Sequence, residues 1–175
     1  ALHQHHRVRT ARHFRQSVAA GIVVGMIDYA ASRGADRHIL LAAAGLPRDA
    51  GIDPNRRVPL EHYIRVTREA KRLCDNPALA IEHAASHRFD NLSIVGLIAY
   101  ASPTIRDAID QLNRYGRLVT DLSIVGEARF SLSHENDGIW LTDNRLDQPP
   151  FPECTETSFI WLINAAREPG IAPYC

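Results

Sequence analysis

The stretch from Phe89 to Asp121, FDNLSIVGLIAYASPTIRDAIDQLNRYGRLVTD, constrains the fold more than any other, because it joins the least polar run of the chain to its clearest helix start. Ser102 followed by Pro103 reads as an N-cap and a first helical position, where a serine hydroxyl accepts an orphan N–H and proline's missing N–H costs nothing. Beyond this junction Ile105, Ala108, Ile109, Leu112, Tyr115, Val119 and Leu122 fall on one face at three-and-four spacing. Arg106, Asp107, Asp110, Asn113, Arg114 and Arg117 take the other face. Before the junction, Leu92 to Ala101 has almost no polar position and is expected to be buried on all sides as the anchor of the core. It is too short to cross a bilayer, which takes roughly 20 apolar residues. The two segments together predict a helical hairpin at the centre of the molecule.

Upstream, Ser17 is expected to cap a helix whose stripe is Val18, Ile22, Val23, Met26, Ile27 and Ala30, with Gly34 in the left-handed position after its end. Gly21 and Gly25 on this helix suit close packing of a neighbour. Asp36 caps a shorter helix through Ile39, Leu40 and Ala43 that Gly45 closes, and Leu46 to Arg57 is turn chemistry. Pro59 opens a helix with Leu60, Tyr63, Ile64, Thr67, Ala70 and Cys74 inward. Asp75, Asn76 and Pro77 restart a further helix that runs to about His87.

After Leu122 the period changes. Ala128, Phe130 and Leu132 alternate with Arg129, Ser131 and Ser133, a turn falls near Asp137 and Gly138, and IWLTD returns, which predicts a β-hairpin. A proline cluster then leads into a helix containing Phe159 to Ile163, ended by Pro169 and Gly170, whose apolar run is expected to avoid water. A lone hairpin needs more strands or a covering helix, and the expectation is that chain beyond Cys175 completes that sheet. The predicted fold class is α+β, mainly α-helical: a helical bundle followed by a β-hairpin and a further helix.

With 175 residues, 45% of them hydrophobic, one domain with a sizeable core is expected from Ser17 to Cys175. Twenty basic and twenty acidic residues cancel, so no global charge draws this chain to nucleic acid. Residues 1–16 read as a basic flexible tail, in which Arg7, Arg9, Arg12 and Arg15 could follow phosphates and His3, His5 and His6 could take up metal. Cys74, Cys154 and Cys175 are odd in number and far apart, which argues against a disulfide framework and a zinc site and fits a reducing cytoplasm. No secretory signal is read at the start of the chain, and no membrane association is expected.

No nucleophile elbow, Walker loop or strand-linked dinucleotide fingerprint occurs in the sequence, so neither a catalytic residue nor a cofactor is assigned. His83 and His87 stand four apart beside Glu82, a spacing able to hold a metal, but the order is not that of a zinc hydrolase and a surface or structural role is favoured. Cys74 reads as a buried, inert thiol. Arg114, Tyr115, Trp140 and Trp161 are candidate lining for a ligand pocket where sheet meets helices; the alternative is that these aromatics are ordinary core.

The passages LLAAAGLPRDAGIDPNRRVPLEHYIRV, CDNPALAIEHA and IVGLIAYASPTIRDAIDQLNRYGRLVTD, followed by the hairpin and the Phe159–Arg167 helix, appear in the order of one family. Over about Ser17 to Ile171 the chain resembles the N-terminal sensory domain of AraC-type transcriptional regulators, in the arabinose-binding-domain-like branch. The resemblance implies the N-terminal part of a sensory and dimerisation domain that binds an unknown small-molecule effector and pairs as a homodimer. DNA would be bound only through a helix-turn-helix domain absent from this chain. The rivals are an effector-free interaction module and a metal-dependent enzyme built on His83 and His87.

Overall fold

Ser17–Ala19 is extended rather than the start of a helix. In the computed structural model, which describes residues 16–48, 51–135, 138–146 and 150–167, this segment is strand β1 at the centre of a small antiparallel sheet. On one side it pairs with β2 (Arg57–Pro59) and on the other with β3 (Thr120–Asp121), in register Val18↔Val58 and Val18↔Thr120. The expected Ser17 cap is therefore absent: its hydroxyl accepts from Arg57 Nε at 3.1 Å. Helix α1 (Ala20–Ser32) begins without a side-chain cap because carbonyls of the turn before β2 take its orphan donors, Ala20 N–H to Arg56 O at 2.8 Å and Gly21 N–H to Pro54 O at 2.9 Å. Gly21 permits that approach, since a Cβ there would lie 3.3 Å from Pro54 Cβ.

The next elements follow the local rules closely. Asp36 accepts from His38 N–H and Ile39 N–H at the start of α2 (Arg37–Ala44), and Gly45 closes it in the left-handed conformation at φ 67°. Gly34, at φ 98°, turns the chain after α1 as its position predicts. Helix α3 (Leu60–Leu73) buries Leu60, Tyr63, Ile64, Val66, Thr67 and Ala70 against α1 and α2, and α4 (Leu79–Ser86) buries Leu79, Ala80, His83 and Ala84. Cys74 is half-buried at the end of α3, its thiol 3.6 Å from Ala30 O.

The central stretch departs from expectation in two respects. Leu92–Ala101 is not buried all round: α5 (Ile94–Tyr100) turns Val95, Gly96 and Ala99 inward but leaves Ile94 58% and Leu97 51% exposed. A seven-residue helix lying on a 3-10 turn at Phe89–Asn91 and on α6 (Ile105–Tyr115) has only one covered side. The α6 cap is Thr104 rather than Ser102. Thr104 Oγ1 accepts Asp107 N–H at 3.1 Å and donates to the Asp107 carboxylate at 2.7 Å, a reciprocal arrangement that Ser102 could not reach. Ser102 instead donates to Ile98 O, closing α5, and Pro103 sits in the connection. The helix stops at Tyr115, so Val119 and Leu122 are buried from outside it, around β3.

Gly96 is where α5 meets the Phe89 carbonyl, and an added Cβ would penetrate that backbone oxygen. Gly96→Ala is accordingly expected to destabilise by about 2 kcal/mol through overpacking, despite alanine's better helix propensity. Urea denaturation checks it; an unchanged or raised midpoint contradicts it.

The hairpin forms as predicted from β4 (Phe130–Glu135) and β5 (Gly138–Asp143), with Leu132 opposite Leu141. The expected turn residue Asp137 lies outside the described residues. The cover the hairpin requires comes from α6 and from α7 (Pro152–Ala166): Ile109, Phe130 and Leu162 form a small core that Ile105, Leu132, Leu141 and Phe159 extend. Helix α7 opens with Pro at its first position. Its apolar run is not wholly withdrawn from water, since Ile163 is about half exposed on the side away from Trp161 and Leu162. Residues 1–15, Pro169, Gly170 and Cys175 lie outside the described residues. The architecture is mixed α+β and mainly helical. No helix of the described residues is long and apolar enough to cross a membrane.

Candidate functional site

Where α5, α6 and α7 meet the base of the hairpin, they line a partly open cavity. Its walls are mostly aliphatic, with Ile22, Val95, Leu112, Val119 and Leu162 among them. Aromatic surface comes from Phe89, Tyr100, Phe130 and Trp161; Phe89 and Trp161 stack with centroids 4.7 Å apart and planes 9° from parallel. The room available to the centre of a water molecule is about 60 Å³. That is less than half of the roughly 150 Å³ that accepts one benzene ring in an engineered protein cavity.

One charged residue, Arg129, stands in this wall. It immediately precedes β4, and its guanidinium grips Asp143, the last residue of β5, with Nε to Oδ1 at 3.1 Å and a terminal nitrogen to Oδ2 at 3.0 Å. The same group donates to Thr120 Oγ1 of β3 at 3.2 Å and to Ser158 Oγ of α7 at 3.0 Å, and lies 4.6 Å over the Phe130 ring. Asp143 also accepts from Thr155 Oγ1 at 2.8 Å and from Arg145 N–H at 3.2 Å. Both side chains are withdrawn from water, Arg129 15% and Asp143 2% exposed. Burial works against the charge on Arg129, but the hydrogen bonds and charge of the Asp143 carboxylate hold its pKa above the usual arginine range. Burial pushes the Cys154 thiol up, against the pull of Arg129, so the neutral thiol is favoured. One guanidinium thus joins β3, the hairpin and α7 around the cavity.

Trp161 supplies the second polar feature. Its indole Nε1 is fully buried and has no hydrogen-bond partner among the described residues. An unsatisfied buried donor costs about 1–3 kcal/mol, which a ligand acceptor would recover. Of the four residues singled out from the sequence, Trp161 lines the cavity and the other three lie outside its lining. Arg114 is exposed with its guanidinium 5.3 Å over the half-buried Tyr115 ring, and Trp140 is 51% exposed on the hairpin. Arg129 was read from sequence only as a polar alternant. The signal that identifies it is the hairpin register, which pairs Phe130 with Asp143 and so sets two opposite charges at the hairpin's open end.

A wider, more polar groove adjoins the cavity along β3. Arg117, Asp121, Ser123 and Glu127 border it, and it shares Leu112, Gly116, Thr120 and Arg129 with the cavity. Ligand sites are typically concave and mainly apolar with a few convergent polar groups, which describes the cavity better than the groove. Elsewhere, His83 is buried between α1 and α4 with its ring 5.3 Å from Tyr29 and 4.8 Å from His87. Neither of its ring nitrogens has a partner among the described residues, and Nε2 would lie 3.6 Å from a Cβ built on Gly25. Burial, with a smaller contribution from His87, pushes its pKa down to about 4. This is a structural histidine. Among the described residues no three metal-binding side chains converge.

The described residues thus form a mainly helical α+β domain with an apolar cavity beside a small sheet. A family model described as the arabinose-binding domain of AraC transcription regulator, N-terminal, matches residues 34–170, and the chain belongs to that family. The family is one of regulatory, ligand-sensing domains rather than catalysts. No curated protein matches the chain.

Proposed function

We propose that this chain is the small-molecule-sensing and dimerisation domain of a cytoplasmic AraC-type transcriptional regulator, with the cavity beside Arg129 and Trp161 as its effector site. The observation that carries the reading is the concave, mainly apolar space lined by Trp161, whose buried indole N–H has no partner among the described residues. An effector of ring size exceeds the room within the cavity, so its binding would shift a wall or reach into the adjoining groove. The groups that move with a shifted wall are those Arg129 connects: β3, the hairpin and α7. Binding energy that differs between two arrangements of these elements is what a sensor requires, and about 1–3 kcal/mol of coupling changes occupancy several-fold or more. DNA recognition belongs to helix-turn-helix motifs outside this chain.

A thermal-shift screen of small metabolites tests the sensing role. A true effector at about a hundred times its dissociation constant adds about 2.7 kcal/mol to stability, and a screen in which no compound raises the melting point favours an effector-free interaction module. Dimerisation is supported by the apolar side chains of Ile94 and Leu97, uncovered on α5. Sedimentation equilibrium of the chain is expected to show dimers that Leu97→Glu weakens; a strictly monomeric wild type contradicts the pairing.

A further inference from the structure

Arg129 invites the view that the cavity takes an anion, and the family description invites a sugar. The geometry points to neither. We infer that the cavity selects an uncharged, compact and largely apolar molecule carrying a hydrogen-bond acceptor for the Trp161 indole N–H. The inference rests on the reading of the cavity as the effector site and names the chemistry that site accepts.

Most of the guanidinium is already taken. Two of its N–H groups hold Asp143 and others hold Thr120 and Ser158, while its face is covered by Phe130. The charge is balanced by a carboxylate withdrawn from water on the far side, and no other lining residue is ionic. Arg145, the next cation along, directs its guanidinium to Phe151 O and Thr155 Oγ1 rather than into the cavity. An entering carboxylate would lose its hydration and either stay uncompensated or displace Asp143, which would then be buried without its partner. A sugar fares no better, because each hydroxyl needs a partner and the wall is chiefly Ile22, Val95, Leu112, Val119 and Leu162. What the wall does offer is apolar surface and the buried Trp161 indole N–H, which has no partner among the described residues; the hydroxyls of Tyr100, Thr120 and Ser158 are its other uncharged polar groups.

Three probes separate these chemistries: methyl isopropyl ketone, isobutyrate, which matches it in size and shape but is charged, and arabinose. Each is titrated at millimolar concentration into the isotopically labelled chain while the two tryptophan indole N–H cross-peaks are followed in a proton–nitrogen correlation spectrum. The ketone is expected to move the Trp161 peak and leave that of Trp140 in place, with isobutyrate and arabinose moving neither. Trp161→Phe, which keeps the stack on Phe89, is expected to weaken the ketone about fivefold, the worth of one ordinary hydrogen bond. Isobutyrate or arabinose acting on the Trp161 peak as strongly as the ketone overturns the ligand class and leaves the cavity as a binding site. Unchanged ketone affinity in Trp161→Phe overturns the role of the indole donor. Silence of all three probes at Trp161 and at the Val95, Val119 and Leu162 methyls overturns the cavity reading itself.

Discussion

Asp143→Ala is expected to lower the stability of the chain by about 3–5 kcal/mol, the cost of breaking a buried ion pair from one side. The aspartate side chain is 2% exposed and accepts both arms of Arg129, whose guanidinium would remain charged and withdrawn from water with only hydroxyl, carbonyl and thiol partners. Because Arg129 also reaches Thr120 and Ser158, the loss should loosen the joint between β3, the hairpin and α7 together rather than the hairpin alone. Replacing both members, Arg129→Met with Asp143→Leu, should recover much of the loss, since apolar pairs of similar volume often match or exceed buried ion pairs. Urea denaturation of the three chains measures this. A loss below about 1 kcal/mol for Asp143→Ala, in the range of exposed pairs, would show that the pair is not buried as described.

The second large effect is acid sensitivity through His83. Its native-state pKa of about 4 lies below the ordinary value of 6.5, so between those pH values the unfolded chain binds a proton that the native chain refuses. Stability is therefore full above about pH 6.5 and declines as the pH falls toward about 4, by up to about 3 kcal/mol from this one residue. The groups facing the ring are Tyr29 from α1 and His87 from its own helix, and neither is an acid that could welcome the proton. His83→Leu should reduce the pH dependence of unfolding in that window by about one proton while keeping the site filled. Equal slopes for the two chains would place His83 in contact with water.

Much of the helical part of this fold was readable because its determinants are local. Asp36 and Gly45 bracket α2 through contacts within a few residues of each, and the stripe from Leu60 to Ala70 needs only the helical period. The three-stranded sheet was not readable for the converse reason. Its strands have two or three residues and join positions about forty and about a hundred apart, too short for any alternation to show. Ser17 and Ser102 were misassigned as caps because a serine before an apolar run satisfies the same pattern whether its hydroxyl meets a helix N–H, an arginine or a carbonyl of the preceding turn. The exposed side of α5 was hidden as well, since an apolar run reports what could be buried and not what lies opposite.

The site shows the same division. Trp161 was legible as a bulky residue inside a helix expected to be apolar. Trp140 was ambiguous, because Ile139, Trp140 and Leu141 do not alternate; the register that sets Trp140 opposite Ser133 puts it on the outer face, away from Leu132 and Leu141. Arg129 could be recognised only after that register was known. A charged residue next to Phe130 on a strand normally faces water, and it is the pairing across the hairpin with Asp143 that carries it inward.

The effector site itself is tested most directly by calorimetric titration of a compound from the metabolite screen into the wild-type chain and into Ala165→Leu. Ala165 is buried on α7 in the cavity wall, and leucine there adds about the volume of the empty space while suiting a helix. Wild type should bind with a negative heat-capacity change from apolar burial, and Ala165→Leu, folded by circular dichroism, should bind at least tenfold more weakly. Equal affinity in both chains would put the ligand elsewhere, in the groove along β3 or on the outer surface, and contradict the account.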